Sequence, residues 1–167
     1  MHLICTHEQA DFDAIASLWA AGRLHPQATA VLPQRLNRNV RGFLTLYGEQ
    51  FSLQDRAEIG SGSVSSLTVV DSQSPVSLRG VDSKTQINVI DHHPLDADLD
   101  PSWNIQVEKI GATATLLVEA LQHAGEELSR HAATLMLLGI YEDTGSLTYP
   151  GTTSRDIRAS EIGRAHV

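Results

Sequence analysis

Short apolar runs bounded by polar turns alternate along the chain with segments whose apolar residues recur every three or four positions. This is the pattern of a parallel sheet covered by helices. Leu3 to Thr6 reads as a first strand. A helix is predicted to start near Asp13, to carry Ala14, Ile15, Leu18 and Trp19 on its inner face, and to end near Gly22. Ala28 to Leu32 reads as a second strand, stopped by Pro33, and Asn37 to Tyr47 places Val40, Phe43, Leu44 and Tyr47 at helical spacing. Ser52 to Ser66, with several Gly and Ser, reads as loop. Leu67 to Val70 and Ile87 to Ile90 are short β-branched runs, each followed by aspartate. Asn104 to Glu108 reads as a further strand at an edge, and Thr113 to Ala124 and Ser129 to Tyr141 as longer helices. Thr153-Ser154-Arg155-Asp156 has the form of a helix-starting capping box. The expected fold is a three-layer, Rossmann-like α/β domain with a mainly parallel sheet and helices on both faces.

Composition narrows this picture. With 167 residues and 41% hydrophobic content, one domain with a substantial core is expected. The net charge of −8 argues against a general nucleic-acid-binding surface, although aspartates that hold divalent cations would cancel part of it. The single cysteine, Cys5, excludes an internal disulfide framework and fits a reducing compartment. No apolar run approaches the ~20 residues needed to span a bilayer. The first residues also lack a basic region followed by an apolar stretch, so a cytoplasmic location without membrane contact is expected. Glu161 to Val167 matches an in-frame translation of a widely used DNA-sequencing adapter. The natural chain is therefore expected to continue differently after about Ser160, with one domain over residues 1–160 and further domains beyond it.

Candidate chemistry gathers where apolar runs give way to loops. The clusters are His7 with Asp11 and Asp13, then Asp71, then Asp91-His92-His93, then Asp143. Taken singly, each has an ordinary explanation. Asp13 would cap a helix, Asp11 would close an Asx-turn, Asp71 and Asp143 would be turn residues, and His7 a hydrogen-bonded surface histidine. Those explanations leave unexplained why separate strand and helix ends all carry ligand-type residues, in the crevice position where open parallel sheets bind ligands. Carboxylate plus imidazole without thiolate suits Mn²⁺, Mg²⁺, Co²⁺ or a carboxylate-bound Zn²⁺. A pair of such ions roughly 3.5–4 Å apart needs a bridging carboxylate.

On these residues the chain resembles the DHH phosphoesterases. His7, Asp11 and Asp13 match the family's first motif, Asp71 the second, Asp91-His92-His93 the third and Gly139 to Gly145 the fourth. The phrases Thr6 to Asp13 and Gly139 to Ser146 look like the N-terminal DHH module of large bacterial proteins that also carry CBS domains and a poly(A)-polymerase or tRNA-nucleotidyltransferase-like domain. The resemblance implies a hydrolase using two divalent metal ions, Mn²⁺ first and Mg²⁺ or Co²⁺ as alternatives, to activate water against a phosphoester. It implies that His7 and Asp11 bind one metal, that Asp71 bridges, and that Asp13, His92 and Asp143 complete the second site. His93 would contact the scissile phosphate or assist the leaving group, and Asp91 would orient a histidine. The expected substrate is a phosphorylated nucleotide or short oligonucleotide; a homodimer is allowed. DHH enzymes usually close over substrate with a C-terminal domain carrying a glycine- and histidine-rich motif, which this sequence lacks, so weak activity or none is expected of this fragment. The alternative is a nucleotide-binding regulatory module of a CBS and nucleotidyltransferase-like protein, with little hydrolysis of its own.

Further residues are weaker candidates. Gly111 to Thr115 opens a helix whose amides and hydroxyls, Thr113 and Thr115 among them, would accept a substrate phosphate, or would simply be a close-packed helix start. Arg155 is a second phosphate-contact candidate. Arg35, Arg38 and Arg41 would steer a polyanion or form an ordinary solvated helix face. A plain dinucleotide-binding Rossmann domain is disfavoured, because acidic residues stand where its glycine fingerprint belongs.

Overall fold

The computed structural model describes residues 1–75 and 77–164. Strands β1 (His2–Cys5), β2 (Ala28–Ala30), β3 (Ser66–Val70), β4 (Gln86–Asp91) and β5 (Asn104–Val107) form one sheet. Its order is β2-β1-β3-β4-β5, and every pairing is parallel. The chain leaves β1 for β2 on one side and returns to β3 on the other, so the topological switch point lies between β1 and β3. Register aligns Cys5 with Val69 and Val70 with Ile90, which brings the residues after β1, β3 and β4 to one edge of the sheet.

Alternation along the strands sorts the core into two layers. Ile4, Ala30 and Val70 face a layer built from helices α1 (Phe12–Leu24), α2 (Arg38–Tyr47), α3 (Thr113–His123), α4 (Arg130–Asp143) and α5 (Ser154–Ala159). Leu3, Cys5, Leu67, Val69, Ile87 and Val89 face the other way. There the helical cover expected from the sequence is supplied by Ile59 beside a 3₁₀ turn (Arg56–Glu58) and by Val64, Leu78, Val81 and Trp103 of the connections. Among the described residues, the largely polar segments that join β3 to β4 and β4 to β5 contain turns and bends and no helix.

Caps set the helix starts. The side chains of Asp11, Asn37 and Ser129 accept backbone amides of Ala14, Val40 and Ala132, and Thr153 with Asp156 forms the capping box read from sequence. The first helix, expected to start near Asp13, therefore starts at Phe12 behind an Asp11 cap, with Asp13 inside its first turn, and it runs past Gly22 to Leu24. The second strand stops at Ala30; Val31 instead forms an isolated bridge with Gln54. Helix α4 continues past Tyr141 to Asp143. Small residues let it approach α1 and α3: a Cβ on Gly139 would stand 3.0 Å from the Ala16 Cβ and 3.2 Å from that of Ala114. That closeness carries Asp143 to the sheet edge. Ile162, within the stretch set aside as tail, is buried in the helical core layer, while Ala165 to Val167 lie outside the described residues.

Candidate metal centre

The residues after β1, β3 and β4 and the end of α4 enclose a crevice of about 440 Å³, lined by His7, Asp11, Asp71, Asp91, His93 and Asp143 among others. Asp71 follows β3 with φ +55°, a left-handed conformation that aspartate tolerates better than most side chains. Ligand-type atoms of His7, Asp11 and Asp71 lie within 4.8 Å of one another, and so do those of Asp13, His92 and Asp143. Asp71 stands between the groups: Oδ2 is 3.5 Å from His7 Nε2, and Oδ1 is 3.7 Å from His92 Nε2.

Backbone carbonyls fix both imidazoles. His7 Nδ1 is 2.9 Å from the Glu8 carbonyl and His92 Nδ1 is 3.2 Å from that of Ile110. A carbonyl only accepts, so each Nδ1 carries a hydrogen and each Nε2 is directed at the carboxylates. His92 Nε2 is buried with no aligned hydrogen-bond partner, yet Asp143 Oδ2, Asp71 Oδ1 and Asp13 Oδ2 stand 3.0, 3.7 and 3.9 Å away. An orphaned buried nitrogen facing three carboxylate oxygens is the donor set a divalent cation requires, and the residues fit one.

The electrostatics point the same way. Burial, then the charges of Asp71 and Asp143, push the Asp13 carboxyl well above its ordinary range. Burial also raises Asp11. The hydrogen bond to Asp71 raises His7 to about 9 despite the opposing effect of burial. Burial would lower His92, but Asp143 and Asp71 outweigh it and raise that group to about 9 as well. All four shifts trace to burial or to crowded negative charge, which a cation would offset.

Asp91, the last residue of β4, lines the same crevice but belongs to neither ligand group. Its Oδ1 accepts from His93 Nδ1 at 2.8 Å, and its Oδ2 from Gln73 Nε2 at 2.7 Å. Burial alone would raise this carboxyl, but the His93 and Gln73 bonds prevail and hold it at about 2. The bond to Asp91 raises His93, whose side chain is half exposed in the crevice. Gln73 also donates to the Pro94 carbonyl and accepts from the Asp96 amide, tying the loop after β3 to the loop after β4. Nothing in the sequence distinguishes Gln73 from a polar loop residue; only its place two residues after Asp71 hints at the role.

The weaker candidates fall elsewhere. Thr113 and Thr115 are buried, and their donors are already taken. The Thr113 and Ala114 amides donate to Asp13 at 2.8 and 2.7 Å, Thr113 Oγ1 to Asp71 at 2.9 Å, and Thr115 Oγ1 to Asp156 at 2.6 Å. The start of α3 does bind an anion, but that anion is the protein's own Asp13, so neither threonine faces a substrate phosphate. Arg155 donates to both oxygens of Glu119 and to Glu108, and it lines a separate groove with Gln106 and His123. Satisfied by two carboxylates, it is no phosphate contact in the crevice. Arg35 is exposed, 3.7 Å from Glu8, and Arg38 and Arg41 lie on the exposed side of α2.

A parallel α/β sheet with carboxylates and imidazoles converging at its switch point defines a class of ligand-binding domain, and comparison with known proteins narrows it. The N-terminal domain of the DHH family matches residues 2–140, and the chain belongs to that family. It is 34% identical over 171 residues to an A-adding tRNA nucleotidyltransferase of Geobacter sulfurreducens, covering 96% of this chain and 19% of that protein. It is 28% identical to a probable manganese-dependent inorganic pyrophosphatase of Listeria innocua, covering 95% of this chain and 53% of the relative. The solved structure of a putative family II inorganic pyrophosphatase from Methanococcus jannaschii shares the fold, with a TM-score of 0.74 at 22% identity over 100% of this chain and 58% of the other. The chain thus spans between a fifth and about half of the relatives it matches.

Proposed function

We propose that residues 1–160 are the metal-binding catalytic domain of a phosphoester hydrolase acting on a phosphorylated nucleotide or short oligonucleotide. The observation that carries this reading is Asp71, set between a His7/Asp11 group and an Asp13/His92/Asp143 group. In this reading His7, Asp11 and Asp71 hold one divalent ion and Asp13, Asp71, His92 and Asp143 a second. Mn²⁺ is the first choice, with Mg²⁺ or Co²⁺ as alternatives, and the manganese dependence stated for the pyrophosphatase relative supports it. When bound, the pair would supply an acidified water and neutralise charge on the phosphoryl oxygens.

The remaining chemistry falls to the chain's own side chains. Ionised Asp91 holds the Nδ1 hydrogen of His93, leaving the other ring nitrogen free for the crevice. The raised pKa of His93 keeps a proton available there for a leaving oxygen. Selection of the substrate is left to parts outside residues 1–160, as the much greater length of the Geobacter relative supports. Similarity to a tRNA nucleotidyltransferase favours nucleotide over pyrophosphate substrates.

The same similarity supports a second reading, a nucleotide-binding regulatory module with little hydrolysis of its own, because the chain covers only 19% of that relative. The full-length protein, assayed with Mn²⁺ on a dinucleotide, phosphoadenosine phosphate and pyrophosphate, separates the two. Turnover of a nucleotide substrate that is lost in Asp71→Ala supports the hydrolase. Mn²⁺-dependent nucleotide binding without turnover of any of the three overturns it in favour of the module.

A further inference from the structure

We propose that Asp156, which belongs to neither ligand group, is a positioning residue that clamps the segment from Ile110 to Thr115 and thereby sets the metal centre. Its effect on metal rests on the two-metal reading above; the clamp itself is a property of the metal-free chain. The segment touches three of the proposed ligands. Ile110 accepts from His92 Nδ1, the Thr113 and Ala114 amides grip both oxygens of Asp13, and the Thr113 hydroxyl holds Asp71.

Behind that segment lies Asp156, fully buried. Its carboxylate accepts from the Gly111 amide at 3.0 Å, from Thr115 Oγ1 at 2.6 Å, and from the Thr153 amide and hydroxyl at 2.7 Å each. The Thr153 amide alone would complete the capping box of α5, so the bonds to Gly111 and Thr115 exceed what helix capping requires. The approach is close enough to demand glycine. A Cβ at residue 111 would stand 2.8 Å from Asp156 Oδ2 and 2.6 Å from Thr144 Cγ2, next to Asp143. A chain of hydrogen bonds therefore runs from α5 through residues 110–115 to Asp13, Asp71 and His92. Groups bonded directly to a metal's ligands, as Ile110, Thr113 and Ala114 are to His92, Asp13 and Asp71, typically change its affinity by about 10–100-fold; Asp156 acts on the metal through them.

The test uses Asp156→Asn, which removes the charge and one acceptor, and Thr115→Val, which deletes a single hydroxyl at similar volume and carries the test should the first variant fail to fold. Thermal melts verify that each variant is folded at the assay temperature. In metal-free protein, hydrogen exchange at the Thr113 and Ala114 amides should quicken at least about tenfold while that of Leu3 and Val69 stays unchanged. In Mn²⁺ titrations, the dissociation constant should rise about tenfold, the lower end of the effect known for groups bonded directly to metal ligands. A purely structural role would lower the melting temperature and leave both readouts at wild-type values, overturning the proposal. Faster exchange with unchanged Mn²⁺ affinity overturns the link to the metal centre. Faster exchange in a protein whose wild type binds no Mn²⁺ upholds the clamp and overturns the two-metal reading instead.

Discussion

Metal uptake by this protein should expel protons, and the number follows from two histidines. His7 and His92 are both raised to about 9, the first chiefly by its hydrogen bond to Asp71, the second by Asp143 and Asp71 against the pull of burial. At pH 7.5 both rings are protonated in the metal-free chain, whereas a metal ligand must be neutral. Loading both sites at that pH should release at least about two protons, one from each ring and any held on Asp13 besides, and apparent affinity should rise about tenfold per pH unit for each histidine displaced between pH 6.5 and 9. The same protons bear on stability. The folded chain holds them more tightly than the unfolded chain, whose histidines titrate near 6.5, so their contribution is fully present below pH 6.5 and is lost as pH rises toward 9. For His92, with a side chain 12% exposed, that contribution is on the order of 3 kcal/mol. His7 is a third exposed and contributes less, because solvent screens it. Calorimetric Mn²⁺ titrations in two buffers of different ionisation enthalpy count the protons directly. No net release at pH 7.5, or an affinity flat from pH 6.5 to 8.5, would refute the reasoning.

Three further outcomes are expected. Chelation should lower the melting temperature of metal-loaded protein by about 5–10 °C, since ligand at a hundred times its dissociation constant stabilises by about 2.7 kcal/mol; differential scanning calorimetry with and without EDTA reads the shift. Gly111→Ala should cost about 1–3 kcal/mol in urea unfolding, because its Cβ has no room between Thr144 and Asp156. Gln73→Ala removes the brace on Asp91 and should slow hydrolysis about 10–100-fold while Mn²⁺ affinity stays within about threefold, as steady-state kinetics and titration would show.

The sheet and most of its helices were legible because their signals are local. β-branched runs marked β3 and β4, helical spacing marked α2 through α4, and Thr153 with Asp156 announced its own capping box. Boundaries slipped where a cap competed with a neighbour. Asp11 took the capping role that Asp13 seemed to hold, freeing Asp13 to be gripped by amides 100 residues away. The gathering of His7, Asp11, Asp13, Asp71, His92 and Asp143 at one edge was anticipated through ordered motifs after successive strands. What stayed hidden were contacts between segments distant in sequence. Free amides at the start of α3 look from sequence like a phosphate site, and only the fold shows that Asp13 fills it. Arg155 looks available until Glu108 and Glu119 are placed beside it. Gln73 and the burial of Asp156 against Gly111 leave no trace in local pattern at all.

Metal content is the most direct test of the central claim. Purified protein saturated with Mn²⁺, freed of excess ion and analysed by elemental mass spectrometry should hold two equivalents per chain. Asp71→Ala, which removes the carboxylate lying between His7 and His92, should hold at most one. Fewer than two equivalents in the wild type, or two retained by the variant, would contradict the account.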